Sequence, residues 1–174
     1  MRKLVLGVAV SLDGFIEGPN GEYDWCIPPP ANEFNEFFKR FDTIFVGRKT
    51  YEMSLGVEAP KGFPKFKEYV FSTTLNKVKE GAILIRNNVE TEVEKIKKQK
   101  GKDIWLFGGA GLTTSLLNLG LVDELSLGLC PVVLGSGKPL FSKIQDRKYF
   151  KLVDAKTYPT GLVSLNYTLR RVRK

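Results

Sequence analysis

Asp103-Ile104-Trp105-Leu106-Phe107-Gly108-Gly109-Ala110-Gly111-Leu112-Thr113-Thr114 is the stretch whose reading decides the fold. A strand-like apolar run enters a glycine cluster, and a helical pattern follows at once. Glycines let backbone amides approach an anion closely, and the free N–H groups and dipole of a helix start favour phosphate. A pyrophosphate fits such a turn, although the same residues also serve as a simple tight strand-to-helix connection. The run does not complete G-x-G-x-x-G, because Thr114 stands at the final position.

Two more strands end in the same manner. Thr43-Ile44-Phe45-Val46 leads into Gly47-Arg48-Lys49-Thr50, which offers two cations and a hydroxyl where a helix begins. Tyr69-Val70-Phe71 leads into Ser72-Thr73-Thr74, whose hydroxyls either bind phosphate or cap the backbone. Basic groups at such a position also occur as plain solvated surface. Three anion-friendly turns, each following a strand, converge at one edge of an open α/β sheet, where ligands of such sheets bind.

Working outward, strand-like runs recur at residues 3–10, 43–46, 68–72, 82–86, 103–107, 122–130, 150–155 and 163–171. Helical patterns lie near 32–41, 49–55, 90–99 and 111–119. The alternation predicts an α/β fold. The helix at 32–41 is the clearest, with Asn32 as its cap after Pro28-Pro29-Pro30 and with Phe34, Phe37, Phe38 and Phe41 at helical spacing. Those rings are read as core first, with a share of a ligand pocket as the alternative. Near the C-terminus, Val163, Leu165, Tyr167 and Leu169 alternate with Ser164, Asn166, Thr168 and Arg170, and no helix separates the last two strands. That predicts an antiparallel end to a mixed sheet. Loops at 18–30, 56–64 and 131–139 are short enough to be functional, and residues 1–174 read as one domain.

Bulk composition narrows the chemistry. At 43% hydrophobic and 26% charged, the 174 residues describe a folded globular chain. No run reaches the roughly 18 apolar residues needed to cross a bilayer, so the expected location is cytoplasmic, without a membrane partner. Cys26 and Cys130 lack metal-ligand spacing and are expected to be reduced structural thiols. The chain contains no histidine, which removes Ser-His and Cys-His nucleophile pairs, His-ligated metals and zinc deaminase chemistry together. No metal site is expected. A net charge of +8 favours anions of any kind. Its largest clusters are Lys95, Lys97, Lys98, Lys100 and Lys102, and Arg170, Arg171, Arg173 and Lys174, read as solvated faces rather than nucleic-acid surfaces because no aromatic platform is interleaved.

Taken in order, Ser11-Leu12-Asp13-Gly14, Val46-Gly47-Arg48-Lys49-Thr50-Tyr51-Glu52, Phe107-Gly108-Gly109-Ala110-Gly111-Leu112, and Asp123-Glu124-Leu125 leading to the 131–141 loop form a set. On these motifs the chain resembles the dihydrofolate-reductase-like superfamily, and most closely the stand-alone relatives of the pyrimidine-reductase domain of bacterial riboflavin biosynthesis. The resemblance implies a three-layer α/β/α fold with a mostly parallel central sheet. It also implies a homodimer, and NADPH-dependent reduction of a small pterin- or pyrimidine-like heterocycle. Ala9, Val10 and Ile16 are implied to flank the nicotinamide. Gly47, Arg48, Lys49 and Thr50, with Ser72 and Thr73, are implied to hold the adenosine side and its 2′-phosphate, and Gly108, Gly109, Ala110, Gly111 and Leu112 the pyrophosphate. Charge reasoning agrees on Arg48 and Lys49, since a 2′-phosphate needs cations.

Hydride transfer leaves the protein to orient, desolvate and supply a proton. Asp13 and Glu33 are the candidate catalytic and substrate-binding carboxylates; the alternatives are an Asx turn with Gly14 for Asp13 and a helix-dipole role for Glu33. Trp25 and Phe37 are candidates for stacking on the ring, with Asp24 beside them as a possible pocket wall. Gly135 and Gly137, in Gly135-Ser136-Gly137-Lys138, meet a substrate phosphate or form a hairpin connection. The rival from another class is a non-catalytic nucleotide- or nucleic-acid-binding module using the same phosphate sites.

Overall fold

Alternation along the first strand sets the layers. In a computed structural model describing residues 1–58 and 62–170, β1 (Leu4–Ser11) turns Leu4, Leu6, Val8 and Val10 to one face and Val5, Gly7, Ala9 and Ser11 to the other. The chain continues through β2 (Phe15–Glu17), α1 (Ala31–Lys39), β3 (Phe41–Gly47), α2 (Arg48–Ser54), β4 (Lys67–Phe71), β5 (Ile83–Ile85) and α3 (Val89–Lys98). It ends with β6 (Asp103–Gly108), α4 (Ala110–Asn118), β7 (Glu124–Cys130), β8 (Lys138–Pro139), β9 (Phe150–Thr157) and β10 (Val163–Leu169).

Eight strands form one sheet in the order β5-β4-β3-β6-β1-β7-β10-β9. The six from β5 to β7 are parallel, and β10 and β9 close the sheet antiparallel. One face buries Leu4, Leu6, Phe45, Ile104 and Leu106 against Val93 and Ile96 of α3 and Leu116 and Leu117 of α4. Each such side chain removed from water contributes about 1.5–3 kcal/mol. The other face carries Val5 and Trp105 beneath Phe38 of α1, and Val46 and Val70 beneath Tyr51 of α2. Helices therefore cover both faces of a mostly parallel sheet, the expected three-layer α/β/α arrangement.

Several local expectations are corrected. Pro30, not Asn32, precedes the first turn of α1, and no side-chain cap closes it. Phe41 opens β3 instead of ending the helix, and Phe34 is exposed. Lys97 is no part of a solvated face: its amine is buried, donates to the Leu121 carbonyl (2.9 Å) and pairs with Asp123 (2.6 Å). Lys95 pairs with Glu92 and Lys102 donates to the Lys39 carbonyl, so three of the five lysines in that cluster are engaged. Residues 59–61 of the 56–64 loop, and Arg171, Arg173 and Lys174 with the last position of the expected 163–171 strand, lie outside the described residues.

Two features had no sequence signal. β2 and β8 pair as a small antiparallel ribbon, which ties the loop after β1 to the loop after β7. Between β9 and β10, Leu152 faces Tyr167 and Asp154 faces Asn166, so Val153 is left over as a bulge, 64% exposed.

Candidate functional site

The expected site residues gather because parallel strands deliver their carboxyl ends to one edge. β3 leads outward to β4, whereas β6 leads across β1 to β7, so the chain diverges between the ends of β3 and β6. Such a divergence leaves a crevice open to ligands. Gly47 at the end of β3 faces that gap, with Leu112 Cβ 3.5 Å from where a side chain on Gly47 would begin. A Cβ on Gly109 would lie 3.3 Å from Thr50 Oγ1, so the two glycine-bearing turns share one cleft and neither has room for bulk. The Gly108–Gly109 peptide is cis.

α4 starts at this cleft with Gly109 as its N-cap and no side-chain cap, leaving first-turn amides available to an acceptor. Beyond the first turn, the Thr113 hydroxyl is buried without a hydrogen-bond partner among the described residues. Arg48 is held only loosely, 3.4 Å from Glu52, and Lys49 is exposed without an ion-pair partner among the described residues. These cations remain free to meet an anion. Ser72 behaves as a cap: its Oγ accepts from the amides of Thr74 (3.1 Å) and Leu75 (3.0 Å), which leaves Thr73 as the exposed hydroxyl of the pair.

At the end of β1 the picture changes from free groups to committed ones. Asp13 accepts from the Ser11 hydroxyl (2.6 Å) and from the amides of Leu134 (3.1 Å) and Gly135 (2.7 Å). The hydrogen bond from Ser11 outweighs the upward push of desolvation and, with the lesser help of the Gly135 and Leu134 amides, holds its carboxyl below the ordinary value of 3.8. Asp13 is therefore an ionised clasp between two loops. The turn itself is made by Ser11, whose carbonyl accepts from Gly14 and whose Oγ accepts from Phe15, so the expected Asx turn at Asp13 is replaced by a serine turn. Gly137 is a packing requirement, since a side chain there would strike the Glu17 carbonyl at 2.2 Å, and Gly135 is spent on Asp13. The loop at 135–138 is thus a partner of β2, not a hairpin connection.

Glu33 is also engaged. Lys156 Nζ donates to it at 2.6 Å and Tyr158 Oη at 2.6 Å. Those bonds, Lys156 first, hold its carboxyl below the usual 4.5, while burial and then Glu33 push the Tyr158 hydroxyl up to about 12. Neither carboxyl is raised in the way that would suit it to donate a proton at neutral pH. Phe37 stands edge-on to Trp105 (5.8 Å, 88°) and next to Phe38 and Phe41, a core role. Val10 turns into the core, so only its backbone can face the cleft, whereas Ala9 turns to the opposite face; Ile16 packs against the core edge. Trp25 donates to the Glu22 carbonyl, and its loop reaches the end of β7 where the Ile27 amide meets Cys130 Sγ at 3.4 Å. Both cysteines are free; burial, then Cys130, raises the Cys26 thiol to about 11. Asp24 is exposed. Among the described residues no cluster of metal-ligating side chains occurs and no helix is long and apolar enough to cross a membrane.

Sequence reasoning passed over Phe107, 42% exposed at the end of β6 and 4.8 Å from Trp105, and the Lys156–Tyr158 pair beside α1. Strand alternation, which puts Phe107 on the face of Trp105, was the available signal for the first. Nothing local signals the second.

Comparison with known proteins follows this geometry. The family model described as the RibD C-terminal domain matches residues 2–164. YyaP, an uncharacterized protein of Bacillus subtilis (strain 168), is 46% identical over 95% of this chain and 94% of its own length. Among solved structures, a protein from Shewanella sp. PV-4 provisionally assigned to riboflavin biosynthesis superposes with a TM-score of 0.85 at 24% identity, covering 98% of this chain and all (100%) of the other. A deaminase/5-amino-6-(5-phosphoribosylamino)uracil reductase from Thermotoga maritima gives 0.74 at 15% identity, over 97% of this chain but 57% of that one. Dihydrofolate reductase from Enterococcus faecalis, complexed with NADP(H), gives 0.69 at 16% identity over 97% of each chain. At these identities the solved structures speak for the fold, which is that of the dihydrofolate reductases and riboflavin pyrimidine reductases.

Proposed function

The chain belongs to the RibD C-terminal domain family, and from that membership we propose that it is a reductase that draws hydride from NADPH and delivers it to a pyrimidine- or pterin-like ring. The observation that carries this reading is the shared cleft of the β3 and β6 ends, where glycine at 47 and 109 lets the two turns meet and where Arg48, only loosely paired with Glu52, and the exposed Lys49 lie in the turn that faces the uncapped start of α4. This donor set suits a dinucleotide. Backbone amides and a helix start match a pyrophosphate, and two cations match a 2′-phosphate that NADH lacks. Within the 95–102 cluster Lys97 is buried on Asp123 and Lys95 is paired with Glu92, which lowers the charge this face offers a nucleic acid.

When bound, the cofactor supplies the hydride. The chain's own part is to orient, exclude water and manage the proton. In this reading Ala9 and the Ser11–Phe15 turn form the wall beside the reacting carbon, and Asp13 keeps that turn fixed against Leu134 and Gly135. Asp13 and Glu33 are both held ionised by their donors, so neither stores a proton at neutral pH. Tyr158 keeps its proton but directs it at Glu33. The proton that follows hydride transfer therefore comes from water at the cleft.

Titration with NADPH and NADH, followed by quenching of Trp25 and Trp105 emission, tests the reading. Micromolar NADPH affinity, at least tenfold tighter than NADH and reduced by Arg48→Ala or Lys49→Ala, is the expected result. Equal or absent affinity for both cofactors would sink it.

A further inference from the structure

The loop that carries the chain from β2 to α1 is held to the sheet through sulfur. The Cys26 amide donates to the Tyr23 carbonyl (3.1 Å) and the Trp25 indole to the Glu22 carbonyl (3.3 Å), both inside the loop itself. Among the described residues, the hydrogen bond that ties residues 23–27 to the sheet runs from the Ile27 amide to Cys130 Sγ (3.4 Å). Beyond it, Pro28-Pro29-Pro30 passes stiffly into Ala31, where α1 begins. Cys130 closes β7 fully buried, opposite Ser11 in the register of β1 and β7.

That contact brings two thiols within reach of each other. Standard backbone dimensions set Ile27 N about 2.4 Å from the Cα of Cys26, so that Cα lies within about 5.8 Å of Cys130 Sγ. A disulfide holds its two Cα atoms about 4.4–6.8 Å apart, so a turn of the Cys26 side chain and a small loop shift suffice to join the sulfurs. The thiols already sense one another, since burial and, after it, the nearby Cys130 push the Cys26 thiol up to about 11. No third ligating side chain stands with them among the described residues, so a sulfur–sulfur bond suits the pair and a metal ion does not.

Exposure sets the order of events. Cys26 is half-buried and reachable from solvent, whereas Cys130 is sealed beneath the loop. We propose that Cys26 and Cys130 form a redox modification site, bridged by exchange with a low-molecular-weight disulfide of the glutathione class. The Cys26 thiolate attacks one sulfur of the reagent, breaks its S–S bond and releases one thiol, leaving a mixed disulfide. Cys130 then gives up its proton and attacks Cys26 Sγ, and the second reagent thiol leaves. The protein has lost two hydrogens and the reagent has been reduced to two thiols. The bridge fastens residues 23–30, and with them the start of α1, to the strand end beside Ser11 and its Asp13 partner. Because Cys26 keeps its proton at neutral pH, the bridge forms slowly until the reagent accumulates, and a reductant reverses it. This site does not depend on the reductase reading.

Incubation of the reduced full chain with oxidised glutathione, read by intact mass with and without alkylation, tests the proposal. The expected product has lost two hydrogens, takes no alkylating label, carries no glutathione, keeps the mass of a single chain and returns to the dithiol with dithiothreitol. Its rate of formation rises about tenfold per pH unit above neutrality, since the thiolate is the attacking form and the Cys26 thiol is pushed up to about 11. Cys130→Ser is expected to stop at one glutathione on Cys26, and Cys26→Ser to take none. In the bridged chain the Ile27 amide is expected to exchange with solvent about tenfold more slowly. No reaction in the folded chain, a glutathione left on Cys26 of the unsubstituted chain, a bridge between two chains, bridging that requires urea, a rate flat with pH, or an adduct on Cys130 in Cys26→Ser overturns the proposal.

Discussion

The two edges of the central sheet use the same residue types to opposite ends. At the amino edge Arg2 is buried against Asp42, Thr43 and the Lys102 carbonyl, Lys97 is buried against Asp123 and Leu121, and the more exposed Arg40 is paired with both Asp103 and Glu124. At the carboxyl edge Arg48 and Lys49 are exposed, with one long contact between them and Glu52. A cation with every donor satisfied inside the protein supports the fold. One left with spare donors beside a glycine cleft is available to a ligand.

The contrast breaks most readily at Lys97. Lys97→Ala strips the Leu121 carbonyl of its donor and Asp123 of this cation, and is expected to cost about 3–5 kcal/mol in urea unfolding. NADPH affinity of the folded fraction should not change. A loss below about 1 kcal/mol would put Lys97 with the solvated lysines after all. Next in size, the double substitution of Arg48 and Lys49 by Ala is expected to weaken NADPH about 100-fold, close to 2.7 kcal/mol, with unfolding midpoints almost unmoved. Movement in stability instead of affinity would reverse the assignment of the two edges.

Asp13 sharpens the comparison, because it lies at the carboxyl edge but is committed like an amino-edge group. Asp13→Asn is expected to speed hydrogen exchange of the Leu134 and Gly135 amides about tenfold while the amides of Arg2 and Leu4 hold their rates. Unchanged exchange at both loop amides would mean that the clasp is not needed. Since the native carboxyl is held below 3.8, its contribution is present above that value and lost as pH falls through the lowered one; Glu33, held below 4.5, behaves alike. The smallest effect belongs to Thr113. Thr113→Val removes a buried hydroxyl that has no partner among the described residues, and a gain of about 1 kcal/mol in urea unfolding is expected. A loss of similar size would reveal a partner formed in solution.

Much of the carboxyl edge was legible because its signals are local. Glycine after an apolar strand, as at Gly47 and Gly108, declares both a strand end and a close approach within a few residues. The antiparallel close was equally plain in the alternation of Val163 to Arg170. What stayed hidden depends on partners far along the chain. Lys97 reads as one more lysine until Asp123 is beside it, and Glu33 reads as a helix-start acid until Lys156 and Tyr158 arrive from the last hairpin. Asn32 fits the cap pattern, but the polyproline run already fixes the chain before α1, so the helix starts at Ala31 without it. The role of Asp13 belongs to the same class, since its acceptors are filled from a loop 121 and 122 positions away.

The odd residue in β9 also bears on how copies of this chain meet. An outer strand with eight exposed or half-exposed positions is an invitation for another strand to add to the sheet. Val153 interrupts that invitation, because one surplus residue shifts the outward-pointing amides and carbonyls out of phase halfway along. A neighbour could zip to one half of β9 or the other, never along its whole length. The bulge thus acts as a full stop to the sheet, at the margin where its hydrogen bonding would otherwise run on.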